Sequence, residues 1–209
     1  MVNVSIFIEG GILPNDKVNV QTIDNSEKLR EGFYIILSQI ISPTEFNITI
    51  KQGSSNKQTI MFFKKKFQKG QNFLLLIDLD GSKHEKANKF TEFDLIDYSD
   101  SVFFMVQEME AWIISQIDKI DKYYYGKFIR KKNEVALSEH VKINNIHPED
   151  ITKPSIVLKE ILGQYFRTKD NKKKKYGKLK DGADLLSILD ANDLQKTFSD
   201  FDALIESIK

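Results

Sequence analysis

One apolar tract constrains the fold more than any other part of the sequence. Residues 71–81 read Gln-Asn-Phe-Leu-Leu-Leu-Ile-Asp-Leu-Asp-Gly, a continuous apolar run that ends in two carboxylates and a glycine. Such a run is typical of a strand buried on both faces, as in parallel sheets. Because ligands of open parallel sheets bind beyond the carboxyl ends of the strands, Asp78 and Asp80 should emerge at the functional edge. Two aspartates there predict a Mg²⁺ or Mn²⁺ site.

The N-terminal segment repeats this arrangement. Residues 2–8 are rich in β-forming side chains and predict a strand that ends at Glu9, with Gly10 and Gly11 allowing a sharp turn. If the two strands are parallel neighbours, Glu9 lies beside the aspartates of the first tract. Clustered carboxylates repel one another unless a cation lies between them, and Mg²⁺ is usually held by carboxylates together with substrate phosphates. The pattern therefore indicates phosphoryl transfer.

Strand and helix periodicities alternate along the first 120 residues. In chain order they predict a strand at 2–8, a helix at 26–41, a strand at 45–51, a helix to about residue 69, strands at 72–78 and 101–106, and a helix from 109. Beyond Asp121 the sequence predicts helices near 154–166, 181–190 and 192–208 and no convincing strand. The expected fold is α/β, with a mainly parallel, Rossmann-like sheet flanked by helices. Its core should span 1–120, with a mostly helical extension at 121–209 packed on it.

Composition sets the remaining bounds. The chain has 209 residues, no cysteine, a net charge of +1 and no apolar run near the roughly 20 residues of a membrane span, so we expect a cytoplasmic protein without membrane contact. Only local charge clusters can indicate a nucleic-acid partner. Two lysine clusters are candidates, although such runs are more often solvated loops: Lys64 and Lys65, and a stretch at 169–180 that holds seven lysines, including Lys175 and Lys178.

A further acidic residue, Glu110, follows the strand at 101–106. It is either another metal ligand or a charge that favours the start of a helix. The sequence has no phosphate-cradling G-x-x-x-x-G-K-S/T loop and no G-x-S-x-G elbow, so ATP hydrolysis by this chain and serine-hydrolase chemistry are not expected.

These acidic motifs resemble those of a known family. A glutamate after a first strand and Asp-x-Asp after a later buried strand are similar to the Toprim domain of topoisomerases, primases and OLD-type nucleases. Five blocks resemble, in the same order, the bacterial domain-of-unknown-function 4276 family, which is regarded as Toprim-like: residues 6–11 (IFIEGG), 29–33 (LREGF), 76–80 (LIDLD), 105–112 (MVQEMEAW) and 175–178 (KYGK). Members are often encoded beside an ATPase in suspected anti-phage loci.

The resemblance implies a Toprim-like fold and a nuclease subunit of an ATPase-associated defence system. Glu9 would be the general acid/base or a metal ligand, and Lys178 would contact phosphate. The metal ligands implied are Asp78, Asp80 and Glu110. Two departures affect the C-terminal part of the site: Gly177 stands where a histidine is expected, and the residues a few positions after Trp112 lack an acid.

The expected function is metal-dependent hydrolysis of phosphodiester bonds, with DNA as the expected substrate and an ATPase as partner. A homodimer is also possible, because the C-terminal helices are rich in apolar residues. Two alternatives remain open. The acidic site could survive only as a scaffold in a sensor subunit that docks through 154–208. The motif at 78–81 also resembles the first motif of haloacid-dehalogenase-type phosphatases, in which Asp78 would be the nucleophile and Asp80 the acid/base.

Overall fold

The computed structural model describes residues 1–10, 20–131 and 134–209 as an α/β fold. Its strands are β1 (Val2–Glu9), β2 (Phe46–Gly53), β3 (Asn72–Asp78), β4 (Val102–Met105), β5 (Ile129–Arg130) and β6 (Phe166–Arg167). Its α-helices are α1 (Val20–Leu37), α2 (Asn56–Lys66), α3 (Lys86–Glu92), α4 (Glu110–Ser115), α5 (Ile117–Tyr125), α6 (Pro154–Tyr165), α7 (Lys178–Ser187), α8 (Ala191–Thr197) and α9 (Ser199–Ile208).

Four parallel strands form the central sheet in the order β2-β1-β3-β4. Glu9 at the end of β1 lies opposite Gly53 at the end of β2, and Asp78 at the end of β3 lies opposite Met105 at the end of β4. The carboxyl ends of all four strands therefore meet at one edge. The predicted α/β class with a parallel sheet is confirmed, and the strands bring the acidic residues of distant motifs to the same side.

The tract at 71–81 forms a strand that is buried on both faces, as its sequence predicts. Leu74 and Leu76 point into a hydrophobic cluster shared with α1, while Leu75 and Ile77 point into a second cluster shared with α2. Side chains of a strand alternate between faces, so a strand between two helical layers needs apolar residues at every position. This burial fixes where β3 ends and therefore where Asp78 lies.

The C-terminal helices pack against the sheet and continue its core. Leu162 of α6, Leu186 of α7 and Phe201 of α9 belong to the same hydrophobic cluster as Ile6 and Ile8 of β1. The helical C-terminus is thus confirmed, and its apolar faces cover one face of the sheet. A domain boundary at residue 120 stays a prediction, since this cluster runs across it.

Three local features differ from expectation. The prediction that no strand follows Asp121 is wrong, because β5 and β6 form a short antiparallel ribbon. The helix expected from 109 is split at Gln116, whose side chain exchanges two hydrogen bonds of 2.9 and 2.8 Å with the backbone of Asp190. The helix expected at 192–208 is split at Phe198, which is buried. Each difference comes from a contact between segments far apart in sequence.

Two smaller points complete the description. The predicted helix at 26–41 is α1, which begins and ends earlier than expected. Gly11, the second glycine of the first motif, lies outside the described residues, whereas Gly10 adopts the left-handed backbone (φ 103°) that favours glycine. Among the helices that the structure describes, none is long and apolar enough to cross a membrane.

Candidate metal and phosphodiester site

Two loops at the carboxyl edge of the sheet hold each other in place. The N–H of Leu79 donates to the carbonyl of Met105 at 2.9 Å, that of Asp80 to the carbonyl of Gln107 at 2.8 Å, and that of Gln107 to the carbonyl of Gly81 at 2.9 Å. Asp80 and Gln107 both have positive φ values, 55° and 63°. Such a backbone costs about 1–3 kcal/mol per residue and persists where the surroundings over-determine it. These three hydrogen bonds supply that constraint.

Asp78 is the centre of the site. Its Oδ1 accepts a hydrogen bond of 2.8 Å from the N–H of Met109, and its Oδ2 forms an ion pair with the ammonium of Lys178. The Asp78 side chain is 5% exposed, whereas that of Lys178 is 29% exposed, so the lysine side chain reaches the cleft surface while the carboxylate is buried. Sequence reasoning placed both residues in the site, and the structure joins them directly.

Glu9 and Glu110 complete the acidic cluster around this pair. Burial, followed by the charge of Asp78, raises the pKa of Glu9 to about 7. Its Oε2 is buried and has no hydrogen-bond partner within residues 1–10, 20–131 and 134–209. Burial also raises the pKa of Glu110, whose Oε1 accepts a hydrogen bond of 2.8 Å from the hydroxyl of Tyr176. The negative charges of these two buried carboxylates are thus poorly compensated by their surroundings. Carboxylates with raised pKa values are common in functional sites.

The neighbouring carboxylates determine the direction in which the pKa of Lys178 shifts. Burial acts to lower the pKa of its ammonium, but the charges of Asp78 and Glu110 outweigh burial and raise that pKa above its usual range. Lys178 is also the first residue of α7, where the helix dipole disfavours a cation. The acidic cluster, and not the helix, therefore determines the position of this ammonium.

Asp80 lies at the rim of the cleft. The Nδ2 of Asn56, the first residue of α2, donates to the carbonyl of Asp78 at 3.0 Å and to Oδ2 of Asp80 at 3.2 Å. Burial and the charge of Asp78 raise the pKa of Asp80. Asn56, which sequence reasoning did not assign to the site, therefore links the α2 N-terminus to both aspartates.

The N-terminus of α6 forms the opposite wall. Glu108 accepts a hydrogen bond of 2.8 Å from the N–H of Ser155, and its other oxygen lies 3.9 Å from the ammonium of Lys153. Lys153 has a φ of 54° and caps α6. Glu108 lies between β4 and α4, and sequence reasoning gave it no role. That reasoning gave none to the lysines of this wall either, because their sequence positions lie far from the acidic motifs.

The cleft between these elements has a volume of about 420 Å³. Its lining includes the four carboxylates predicted from the sequence, together with lysines of α6 and α7: Glu9, Asp78, Asp80, Glu108, Glu110, Ser155, Ile156, Lys159, Tyr176, Gly177 and Lys178. A larger groove between α1 and β2 contains none of the four predicted carboxylates.

A family model described as Domain of unknown function (DUF4276) matches residues 27–209. The chain belongs to the DUF4276 family. No curated protein and no solved structure matches it. The family match includes Asp78, Asp80, Glu110 and Lys178, whereas Glu9 lies before its first residue.

A close helix contact positions α7 in this DUF4276 protein. A Cβ added at Gly32 of α1 would lie 2.9 Å from the carbonyl oxygen of Ala183 in α7, so the two backbones meet without an intervening side chain. On the same side of α7, a Cβ at Gly182 would lie 3.2 Å from Cε of Met109. These contacts fix the position of α7, and therefore that of Lys178, relative to the sheet.

The other predicted basic residues lie elsewhere. Lys175 is exposed beside the cleft but is not part of its lining. Lys64 is near the far end of α2 from Asn56, and its ammonium donates at 2.9 Å to Asp94 and to the carbonyl of Phe93. Lys65 is exposed on the same turn of α2. The structure therefore does not bring Lys64 and Lys65 to the acidic cluster.

The donor chemistry of the cleft fits Mg²⁺ or Mn²⁺. All of its candidate ligands are carboxylate oxygens, which these hard cations prefer, and the buried Oε2 of Glu9 has no hydrogen-bond partner among the residues that the structure describes. Across residues 1–10, 20–131 and 134–209, however, no three acidic, histidine or cysteine side chains are already arranged to hold a metal. The carboxylates are arranged around the ammonium of Lys178 instead.

Proposed function

We propose that this DUF4276 protein is a nuclease that hydrolyses phosphodiester bonds with Mg²⁺ or Mn²⁺. The observation that carries the proposal is the convergence of Glu9, Asp78, Asp80 and Glu110 on one cleft from three separate parts of the chain. Structural carboxylates are usually dispersed or neutralised, whereas this cluster contains buried groups with raised pKa values.

The side chains divide into roles by position. Asp78, Asp80 and Glu110 would hold the cation, which when bound neutralises phosphate charge and supplies an activated water. Glu9 has a pKa of about 7, which suits a group that accepts and returns a proton near neutral pH. Tyr176 orients Glu110 through its hydroxyl.

Lysines of the cleft wall support nucleic acid as the substrate. Lys159 and Lys178 line the cleft, Lys153 lies at its edge beside Glu108, and Lys175 is exposed nearby. Ammonium groups on both sides of an acidic centre can contact successive phosphates of one strand, and each contact releases counterions. We propose DNA as the substrate and expect cleavage to weaken steeply as salt concentration rises.

We further propose that the protein is a Toprim-like effector that works in the cytoplasm with an ATPase partner in anti-phage defence. The support for this setting is the resemblance of the sequence blocks, now strengthened by the family match over residues 27–209. In such a pair the ATPase would load DNA onto the cleft.

The decisive experiment is cleavage of supercoiled plasmid, linear DNA and RNA with Mg²⁺ or Mn²⁺. Wild-type protein is compared with Asp78→Ala and Glu9→Gln prepared identically, each with and without the product of the neighbouring gene. We expect plasmid cleavage by the wild type that both variants lose. Equal cleavage by all three proteins would identify a contaminating nuclease and contradict the proposal.

A non-catalytic role is the second candidate, and one observation favours it. The ion pair of Lys178 with Asp78 already compensates part of the cluster's charge, and the described carboxylates are not arranged for a metal. The protein would then act as a sensor or scaffold through its C-terminal helices. In that case Asp78→Ala would retain phage protection in cells, while substitutions that disrupt residues 154–208 would abolish it.

A further inference from the structure

Lys178 occupies the position in the cleft where positive charge is most favoured. Its ammonium pairs with Asp78, and the charges of Glu110 and Glu9 also stabilise its protonated form. One lysine therefore offsets several carboxylates that would otherwise repel one another. A divalent cation at the same place would carry twice the charge, and it would compete with the ammonium for the same Asp78 oxygen.

The Lys178 side chain is partly exposed and can rotate while its backbone stays fixed. Lysine carries its charge on a flexible four-carbon stem, and this side chain is 29% exposed to the cleft. The start of α7 is held independently, since Asp181 accepts a hydrogen bond of 2.9 Å from the N–H of Gly177 and one of 2.6 Å from Lys174. Movement of Lys178 therefore requires only side-chain rotation.

We infer that Lys178 is an internal cation that holds the acidic cluster together until a metal ion displaces it, after which its ammonium binds a phosphate of the substrate. This inference rests on the proposed function. It adds that the metal binds before the ammonium contacts substrate, and that the binding of metal and substrate is coupled. Metal binding frees an ammonium, and the anionic substrate gives that ammonium a new partner. Metal and phosphodiester should therefore each increase the affinity for the other, since coupling between two ligands is reciprocal.

The first test measures Mn²⁺ affinity by calorimetry, without substrate. Lys178→Met should bind Mn²⁺ more tightly than the wild type, by about tenfold, because no ammonium competes. Lys180→Met is the matched control, since Lys180 is exposed on the same turn of α7 and its loss removes the same charge. It should change affinity less than about twofold. Circular dichroism verifies that each variant is folded.

The outcomes separate this inference from the proposed function. Equal Mn²⁺ affinity in wild type and Lys178→Met would overturn the inference and leave the metal nuclease standing. Weaker binding by Lys178→Met would also overturn it, because the lysine would then support the metal site. No Mn²⁺ binding by any of the three proteins would overturn the metal nuclease and the inference together.

A second test needs no variant and does not depend on whether Lys178→Met folds. An amine-reactive reagent labels wild-type protein with and without Mn²⁺, and mass spectrometry measures labelling at Lys178 and Lys180. We expect Mn²⁺ to increase labelling of Lys178 severalfold and leave Lys180 unchanged. A short phosphorothioate oligonucleotide added with Mn²⁺ should then protect Lys178. Unchanged or reduced labelling of Lys178 on addition of Mn²⁺ alone would overturn the inference.

Discussion

Two lysines of the same basic stretch, four residues apart, form ion pairs of different character. Lys174 pairs with Asp181 at 2.6 Å, and the two side chains are 6% and 11% exposed. Its ammonium also lies 5.4 Å from the ring centres of Tyr124 and Phe128. Lys178 pairs with Asp78 but is 29% exposed and faces further carboxylates. The first pair is closed by its own segment and aromatic rings, whereas the second joins distant segments across an open cleft.

The difference shows how one lysine-rich stretch serves two purposes. Lys174 anchors the segment between β6 and α7, since both its ammonium and its backbone N–H are bonded, the latter to the carbonyl of Phe166 at 3.0 Å. Lys178 is then held at the mouth of the acidic cluster. Breaking the closed pair would leave a buried charge without its partner, which is strongly destabilising, whereas the ammonium of the open pair also faces the negative charges of Glu110 and Glu9.

The largest expected effect is on catalysis. Asp78→Asn removes a proposed metal ligand and should lower Mn²⁺-dependent plasmid cleavage by at least about 100-fold, because even outer-sphere partners of metal ligands are worth about 10–100-fold. Asp181→Asn changes the closed pair and should retain cleavage within about tenfold when assayed well below its melting temperature. Similar losses of cleavage in both variants would show that the two ion pairs do not differ in their role in catalysis.

The next largest effect is on the free energy of unfolding, which should distinguish the Lys174–Asp181 pair from the Lys178–Asp78 pair. Lys174→Met leaves Asp181 buried without its partner and should lower the free energy of unfolding by about 3–5 kcal/mol. Lys178→Met should also destabilise the protein, but Mn²⁺ should restore much of the loss because a bound metal replaces the missing charge. Urea denaturation with and without Mn²⁺ measures both. Rescue of Lys174→Met by Mn²⁺ would contradict the assignment of roles.

The helix contact that supports Lys178 gives a smaller effect. Gly32→Ala places a methyl group 2.9 Å from the carbonyl oxygen of Ala183, which should displace α7, cost about 1–3 kcal/mol and reduce cleavage. Gly126→Ala is the control, because a Cβ there meets no atom within 4 Å. Thermal denaturation and plasmid cleavage together test this link. Unchanged cleavage by a folded Gly32→Ala protein would show that α7 tolerates the shift.

The smallest expected effect is the pH dependence contributed by Glu9. Burial raises its pKa from 4.5 to about 7, so the folded state holds the proton more tightly than the unfolded state. Its contribution to stability is therefore complete below pH 4.5 and is lost as pH rises through 7. Without metal, Glu9→Gln should stabilise the protein at pH 8 by about 1–2 kcal/mol, discounted for partial exposure, and not at pH 4.5. A larger gain at low pH would contradict this assignment.

Much of the fold follows from local sequence pattern. The continuous apolar run before Asp78 predicted a doubly buried strand, and the helical spacing in α1 and α6 predicted the layers that cover it. Local sequence patterns fail to predict the secondary structure where a contact with a distant segment determines it. Gln116 interrupts a helix because its side chain binds the backbone of Asp190, and β5 is a strand only because β6 lies beside it.

The candidate site divides in the same way. Asp78, Asp80 and Glu9 were predicted because carboxyl ends of parallel strands share an edge, so strand order alone implies their proximity. Lys153 and Lys159 carried no local signal, and Glu108 was given no role, because the start of α6 reaches the cleft only through tertiary packing. Within the lysine run, the resemblance of residues 175–178 to a family block singled out Lys178, whereas nothing indicated the structural role of Lys174.

By itself, the sequence determined the parallel α/β core and the edge at which its acidic residues emerge, since strand burial and side-chain alternation are local properties of the chain. Only the tertiary structure decided that Lys178 lies against Asp78 and that α6 closes the cleft. The physical reason is that both depend on the packing of α7 and α6 against elements more than 40 residues away, where the close approach at Gly32 and the hydrogen bond from Ser155 to Glu108 set the geometry.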